Sequence, residues 1–135
     1  MKKQAELAVG SPVVIVVDDD LAVRSSLKFA LEIDGFEVRA YADGGELLNE
    51  RELPRCGCLV IDQNMRGLNG LDVVAQLRDR QVSVPAILIT SYPTAALSQR
   101  AARAGIPIVE KPLFGNALVD RIRDMFSADK GARVN

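Results

Sequence analysis

The chain contains no histidine. That absence excludes Ser-His and Cys-His nucleophile pairs and removes the commonest zinc ligand, which leaves carboxylates as the obvious anionic chemistry. Cysteine is scarce: Cys56 and Cys58 are separated by one glycine, too close to staple a loop and without a second pair to complete a metal tetrahedron. They read as a small loop residue and a residue entering a strand. An excess of either charge is also lacking. With 17 Lys+Arg against 18 Asp+Glu the formal net charge is -1, too weak a field to draw in nucleic acid or an anionic membrane. Long apolar runs are missing as well. The start, Met1-Lys2-Lys3-Gln4-Ala5-Glu6, has no apolar region of signal-peptide length, and nothing later approaches a membrane span, so the expectation is a cytoplasmic protein.

What is present is enough for one domain with one core: 135 residues, 48% of them hydrophobic. Residues 1–12, closing on Gly10-Ser11-Pro12, are expected to be a flexible N-terminal arm, residues 13–126 the folded unit and residues 127–135 a flexible C-terminal tail without apolar pattern. Within the unit, short β-branched runs alternate with segments of helical period. Strands are expected at Val13-Val17, Phe36-Ala40, Cys58-Ile61, Ala86-Ile89 and Pro107-Val109. Between them helices are expected over Leu21-Ile33, around Gly45-Glu50, along the face of Leu71, Val74, Ala75 and Leu77, and over Thr94-Ala104 with Gly105 as C-terminal cap. A last helix from Leu113 to Phe126 places Leu118, Ile122, Met125 and Phe126 on one stripe. Strict βα alternation with right-handed crossovers predicts an α/β fold: a doubly wound five-stranded parallel sheet, order 2-1-3-4-5, in a flavodoxin-like three-layer sandwich.

Polar residues sit where these apolar runs end: Asp18-Asp19-Asp20, Asp62, Thr90-Ser91 and Lys111. In an open parallel sheet the carboxyl ends converge on one rim, where such folds bind ligands. Three adjacent aspartates repel one another in a partly buried crevice, and a hard divalent ion is the natural remedy. Asp20 also reads as the N-cap of the helix starting at Leu21. Asp62 opens the run Asp62-Gln63-Asn64-Met65-Arg66-Gly67-Leu68-Asn69-Gly70, and on the expected sheet it faces Asp18 and Asp19 across the crevice. Mg²⁺, which keeps several waters, needs only one or two carboxylates and a carbonyl. Taken singly, Asp62 also reads as a turn residue, Lys111 as a solvated loop lysine and Thr90 as a β-former at a strand end.

Together, Val17-Asp18-Asp19, Asp62 with Asn64-Met65 and Gly70, Thr90 and Lys111-Pro112 resemble the receiver domain of two-component response regulators over about residues 13–126. The resemblance implies that Asp62 is the phosphoacceptor for a sensor histidine kinase, a phosphotransfer protein or a small phosphodonor. It implies that Asp19 binds Mg²⁺ directly and Asp18 mainly through water, with Asp62 and the backbone carbonyl of Asn64 completing the protein ligands. Lys111 would pair with Asp62 before transfer and with a phosphoryl oxygen afterwards, and Thr90 would donate its hydroxyl to another. The face made by the fourth and fifth helices would bind a downstream partner or a second copy. With no effector segment following Phe126, the expectation is a single-domain form that acts through a partner, as a relay intermediate or as a phosphate sink, the alternative being a piece cut from a longer regulator.

Two positions depart from the family pattern. Ile108, three before Lys111, stands where the switch aromatic is usual, which brings forward Tyr92, two after Thr90, as a substitute gate. Arg66 follows methionine where the family usually has proline. Two other readings stay open: a Mg²⁺-dependent phosphatase of the haloacid dehalogenase type, with Asp18 as nucleophile and Asp20 as acid/base, and a degenerate receiver that binds its partner without phosphorylation.

Overall fold

The computed structural model describes residues 13–53, 57–111, 113 and 116–134, with side chains as far as Phe126. The expectations for residues 1–12, for Cys56 and for Pro112 fall outside these. The described chain alternates strand and helix throughout: β1 (Val13–Val17), α1 (Leu21–Ile33), β2 (Glu37–Tyr41), α2 (Gly44–Leu48), β3 (Gly57–Asp62), α3 (Gly70–Asp79), β4 (Ala86–Thr90), α4 (Ala95–Arg103), β5 (Ile108–Glu110) and α5 (Ala117–Val134). All five strands are parallel, in the order β2-β1-β3-β4-β5. The expected fold is the observed one.

Two faces of the sheet are buried, and the two-residue period of a strand sorts each run between them. Ile15, Val17, Leu59, Ile61 and Leu88 point to the side covered by α2, α3 and α4, against Leu47, Leu71, Val74, Leu77 and Ala101. Val14, Val16, Val60, Ile87 and Ile89 point to the other side, against Leu27 and Leu31 of α1 and Leu118 and Ile122 of α5. Cys58 lies in this second layer with its Sγ 3.5 Å from Met125 Sδ. Burial pushes its thiol up to about 12, so the group is an uncharged packing atom at neutral pH.

Helix ends follow the sequence closely except at the last one. Asp20 caps α1, its Oδ1 accepting from Ala22 N at 2.9 Å and Val23 N at 3.2 Å. Asp43, Asn69 and Thr94 cap α2, α3 and α4 in the same way. The final helix starts at Ala117 rather than Leu113 and continues past the expected end at Phe126 to Val134. Its apolar stripe does end near Phe126, and the backbone continues as helix over residues that carry no apolar pattern in the sequence. Strand β5 begins after Pro107, which has no N–H to give the ladder but whose carbonyl accepts from Leu88 N at 2.9 Å.

Three helices end in one backbone device, in which the N–H three residues past the helix reaches back to a carbonyl in its last turn. The bonds are Phe36 N to Leu31 O at 3.1 Å, Val82 N to Leu77 O at 2.9 Å and Ile106 N to Ala101 O at 2.8 Å. Each needs a left-handed residue just before the donor. Gly35 (φ +95°) and Gly105 (φ +72°) supply two, and Gln81 at φ 65° supplies the third. A side chain at such φ costs about 1 kcal/mol. Gln81→Gly is therefore expected to stabilise the protein by up to about 1 kcal/mol, read as a higher denaturant midpoint at unchanged slope.

Candidate functional site

Register places the polar residues on one rim. Val17 pairs with Ile61, Asp62 with Ile89 and Thr90 with Glu110, so Asp18, Asp62, Thr90 and Lys111 all stand at or one step beyond the carboxyl ends of four adjacent strands. Backbone bonds fix them there: Asp18 N donates to Tyr41 O at 3.3 Å, Gln63 N to Ile89 O at 2.8 Å and Lys111 N to Thr90 O at 2.9 Å. Asp18, Asp62 and Thr90 are buried, while Asp19 is exposed.

Lys111 Nζ lies 3.3 Å from Asp18 Oδ2 and 3.4 Å from Asp62 Oδ1. One ammonium thus bridges two buried carboxylates. Burial raises the pKa of Asp62 and the neighbouring charge of Asp18 raises it further, against the smaller opposing pull of Lys111 and of the Asn64 N–H. For Lys111 burial pulls downward, but the attraction of Asp18 and Asp62 outweighs it and the ammonium is held above the ordinary lysine value. At neutral pH the lysine is therefore a fixed cation beside Asp62.

One carboxylate oxygen each from Asp18, Asp19 and Asp62 comes within 4.8 Å of the others. Three hard oxygen donors at that separation suit a hard divalent cation. Asp20, the fourth acid of the region, points elsewhere, its carboxylate committed to capping α1.

Thr90 Oγ1 accepts from Asn64 Nδ2 at 3.1 Å and from Tyr92 N at 3.2 Å. Two acceptor bonds fill a hydroxyl's lone pairs and leave its single proton free to be given to a third group. Tyr92 itself is 80% exposed, and Ile108 is half-buried and pairs in register with Leu88, two residues before Thr90. A groove of about 610 Å³ opens beside Lys111, lined by Ala22, Val23, Ser26 and Ala30 of α1 and by Ser91.

Five supporting contacts were not read from the sequence. Arg24 Nη1 donates to the Asp18 carbonyl at 2.7 Å, and Arg66 N donates to Asp19 Oδ2 at 3.3 Å. The buried Gln63 accepts twice at the start of α3, through its carbonyl from Gly70 N at 3.2 Å and through Oε1 from Leu71 N at 2.9 Å. The Asn64 amide holds Thr90, as above. The one available signal was position, since Gln63, Asn64 and Arg66 all lie in the loop that Asp62 opens.

Carboxylates, a lysine and a hydroxyl gathered at the carboxyl edge of a doubly wound parallel sheet define a protein whose rim carries donors suited to a hard cation and, beside them, a cation and a hydroxyl suited to an anion. A family model of the response regulator receiver domain matches residues 14–123, and the chain belongs to that family. It is 34% identical over 119 residues to the C4-dicarboxylate transport transcriptional regulatory protein DctR of Rhodobacter capsulatus, covering 86% of this chain and 60% of that one. Among solved structures it is similar to response regulator StyR (33% identity, TM-score 0.80, covering 92% of this chain and 65% of that one). It is also similar to FixJ-N (29% identity, TM-score 0.77, covering 88% and 95%). The chain spans between about half and three-fifths of the length of the first curated relatives it matches. Among the described residues no helix is long and apolar enough to cross a membrane.

Proposed function

We propose that the chain accepts a phosphoryl group on Asp62 from the phosphohistidine of a sensor kinase or phosphotransfer protein, with Mg²⁺ at the acidic cluster. The observation that carries this reading is the placement of Asp62 Oδ1 3.4 Å from Lys111 Nζ, inside a set of carboxylates close enough to share one cation. The Asp62 carboxylate oxygen attacks phosphorus, the P–N bond to the donor imidazole breaks, and the leaving nitrogen keeps the electron pair. Bound Mg²⁺ supplies charge neutralisation between an anionic nucleophile and an anionic phosphate. Asp18, Asp19 and Asp62 would hold it, with the Asn64 carbonyl as the further protein oxygen. Lys111, released from Asp62 as its charge moves outward, takes one phosphoryl oxygen, and Thr90 gives its free proton to another.

The groove between α1 and Lys111 is where a phosphodonor protein would reach this rim, since it is lined by Lys111, whose Nζ lies 3.4 Å from Asp62 Oδ1, and its α1 wall carries no charged residue. Activity is then confined to transfer onto, and hydrolysis from, the chain's own aspartate. The output would pass through the α4 to α5 face to a downstream protein or a second copy, and residues 13–126 would suffice for it. The phosphatase reading is disfavoured because Asp20, its required acid/base, is spent as a helix cap. The degenerate reading is disfavoured because the acids, Thr90 and Lys111 are all assembled.

Binding of beryllofluoride, which mimics an aspartyl phosphoryl group, tests the site. The expected result is saturable binding at millimolar ligand that requires Mg²⁺ and is abolished by chelator. Absence of binding under those conditions would favour the degenerate reading.

A further inference from the structure

The loop between β3 and α3 sends one backbone donor across the rim to the exposed Asp19: Arg66 N, 3.3 Å from Asp19 Oδ2, a contact between residues 47 apart in sequence. We propose that this peptide N–H is a positioning group for the cation site, holding one oxygen of Asp19 so that the carboxylate stays turned toward Asp18 and Asp62. The inference rests on the reading of Asp19 as a metal ligand.

Asp18 and Asp62 are buried and tied by Lys111, so their carboxylates are fixed by packing. Asp19 is exposed and lies beyond the end of β1, and its carboxylate accepts a hydrogen bond from Arg66 N. A monodentate carboxylate ligand uses one oxygen for the ion, and a hydrogen bond to the other orients it. The donor belongs to the backbone, so the identity of the residue matters in one respect: it must not be proline, the residue the family usually has here. Gly67 follows at φ +77°, a turn that carries the chain onward toward Asn69 and α3. The Arg66 side chain is exposed, and none of its atoms is needed for the contact.

That separation between backbone and side chain makes the test clean. Mg²⁺ affinity is measured by calorimetry on the wild type, Arg66→Ala and Arg66→Pro, with circular dichroism confirming that each is folded. Arg66→Ala, which keeps the N–H, is expected to bind within about twofold of wild type, and Arg66→Pro about tenfold more weakly, the scale on which losing a partner of a metal ligand acts. Amide hydrogen exchange without metal gives a reading that needs no proline: the Arg66 amide is expected to be protected in the wild type and to exchange several-fold faster in Asp19→Ala. Equal or tighter Mg²⁺ binding by Arg66→Pro overturns the proposal, as does an Arg66 amide whose exchange ignores Asp19. A wild type that binds no Mg²⁺ at all overturns the metal reading, and this inference with it.

Discussion

Gly70→Ala is expected to destabilise the protein by about 2 kcal/mol, within the usual range for overpacking a filled site. A Cβ at this position would lie 2.8 Å from the Asp62 carbonyl oxygen and 2.8 Å from Leu88 Cδ1. The leucine tip has rotamers to use, but the carbonyl belongs to the backbone of the last residue of β3, which cannot turn aside without moving the strand end. Relief therefore requires the start of α3 to move, which strains the bonds from Gly70 N and Leu71 N to Gln63. Alanine's better helix propensity returns at most about 1 kcal/mol, and less in a first turn. Because the strain falls on Asp62, the residue proposed to accept the phosphoryl group, Gly70→Ala is also expected to slow phosphoryl incorporation. A denaturant midpoint equal to that of the wild type would show that the approach of α3 to Asp62 is looser than described.

Asp62→Asn is expected to abolish phosphoryl incorporation and, in chelator at neutral pH, to raise stability by about 1 kcal/mol, a common gain when a functional group is neutralised. The sign follows from the raised pKa of Asp62, caused first by burial and then by the Asp18 charge. A carboxyl group whose folded pKa lies above its unfolded value, about 3.9, favours folding fully only below that value. That contribution is lost as pH rises through the folded pKa. Wild type and Asp62→Asn should therefore have similar stability in strong acid and diverge as pH rises toward neutrality, with the asparagine variant ahead. Lys111 acts in the other sense: its raised pKa contributes stability across neutral pH that is lost only in alkali. Mg²⁺ should narrow the gap by stabilising the wild type alone. A variant less stable than wild type at pH 7 without metal would mean that the Lys111 pair outweighs the burial of Asp62.

Much of this rim was legible because it depends on strand ends, and strand ends are marked by β-branched runs that stop at polar residues. Asp18, Asp62, Thr90 and Lys111 were placed by that logic alone. Asp20 and Gly105 were placed as caps, because capping chemistry is local and leaves a residue signature. The contacts that were missed are of another kind. Arg66 reaches Asp19 through a backbone N–H, which every residue but proline carries, so no letter in the sequence announces it. Gln63 and Arg24 bind backbone groups whose positions depend on where a helix packs. The need for glycine at position 70 comes from the approach of α3 to a carbonyl eight residues earlier, a distance set by packing rather than by spacing. The length of α5 was missed for a simpler reason: the apolar stripe measures what is buried, and the helix outlasts it.

The most direct test of the account is to label the protein with a small phosphodonor in Mg²⁺, reduce the acyl phosphate with borohydride and locate the modified residue by mass spectrometry. The account predicts one modified aspartate, Asp62, with labelling lost in chelator and in Asp62→Asn. Modification at Asp18, or labelling that survives Asp62→Asn, would contradict it.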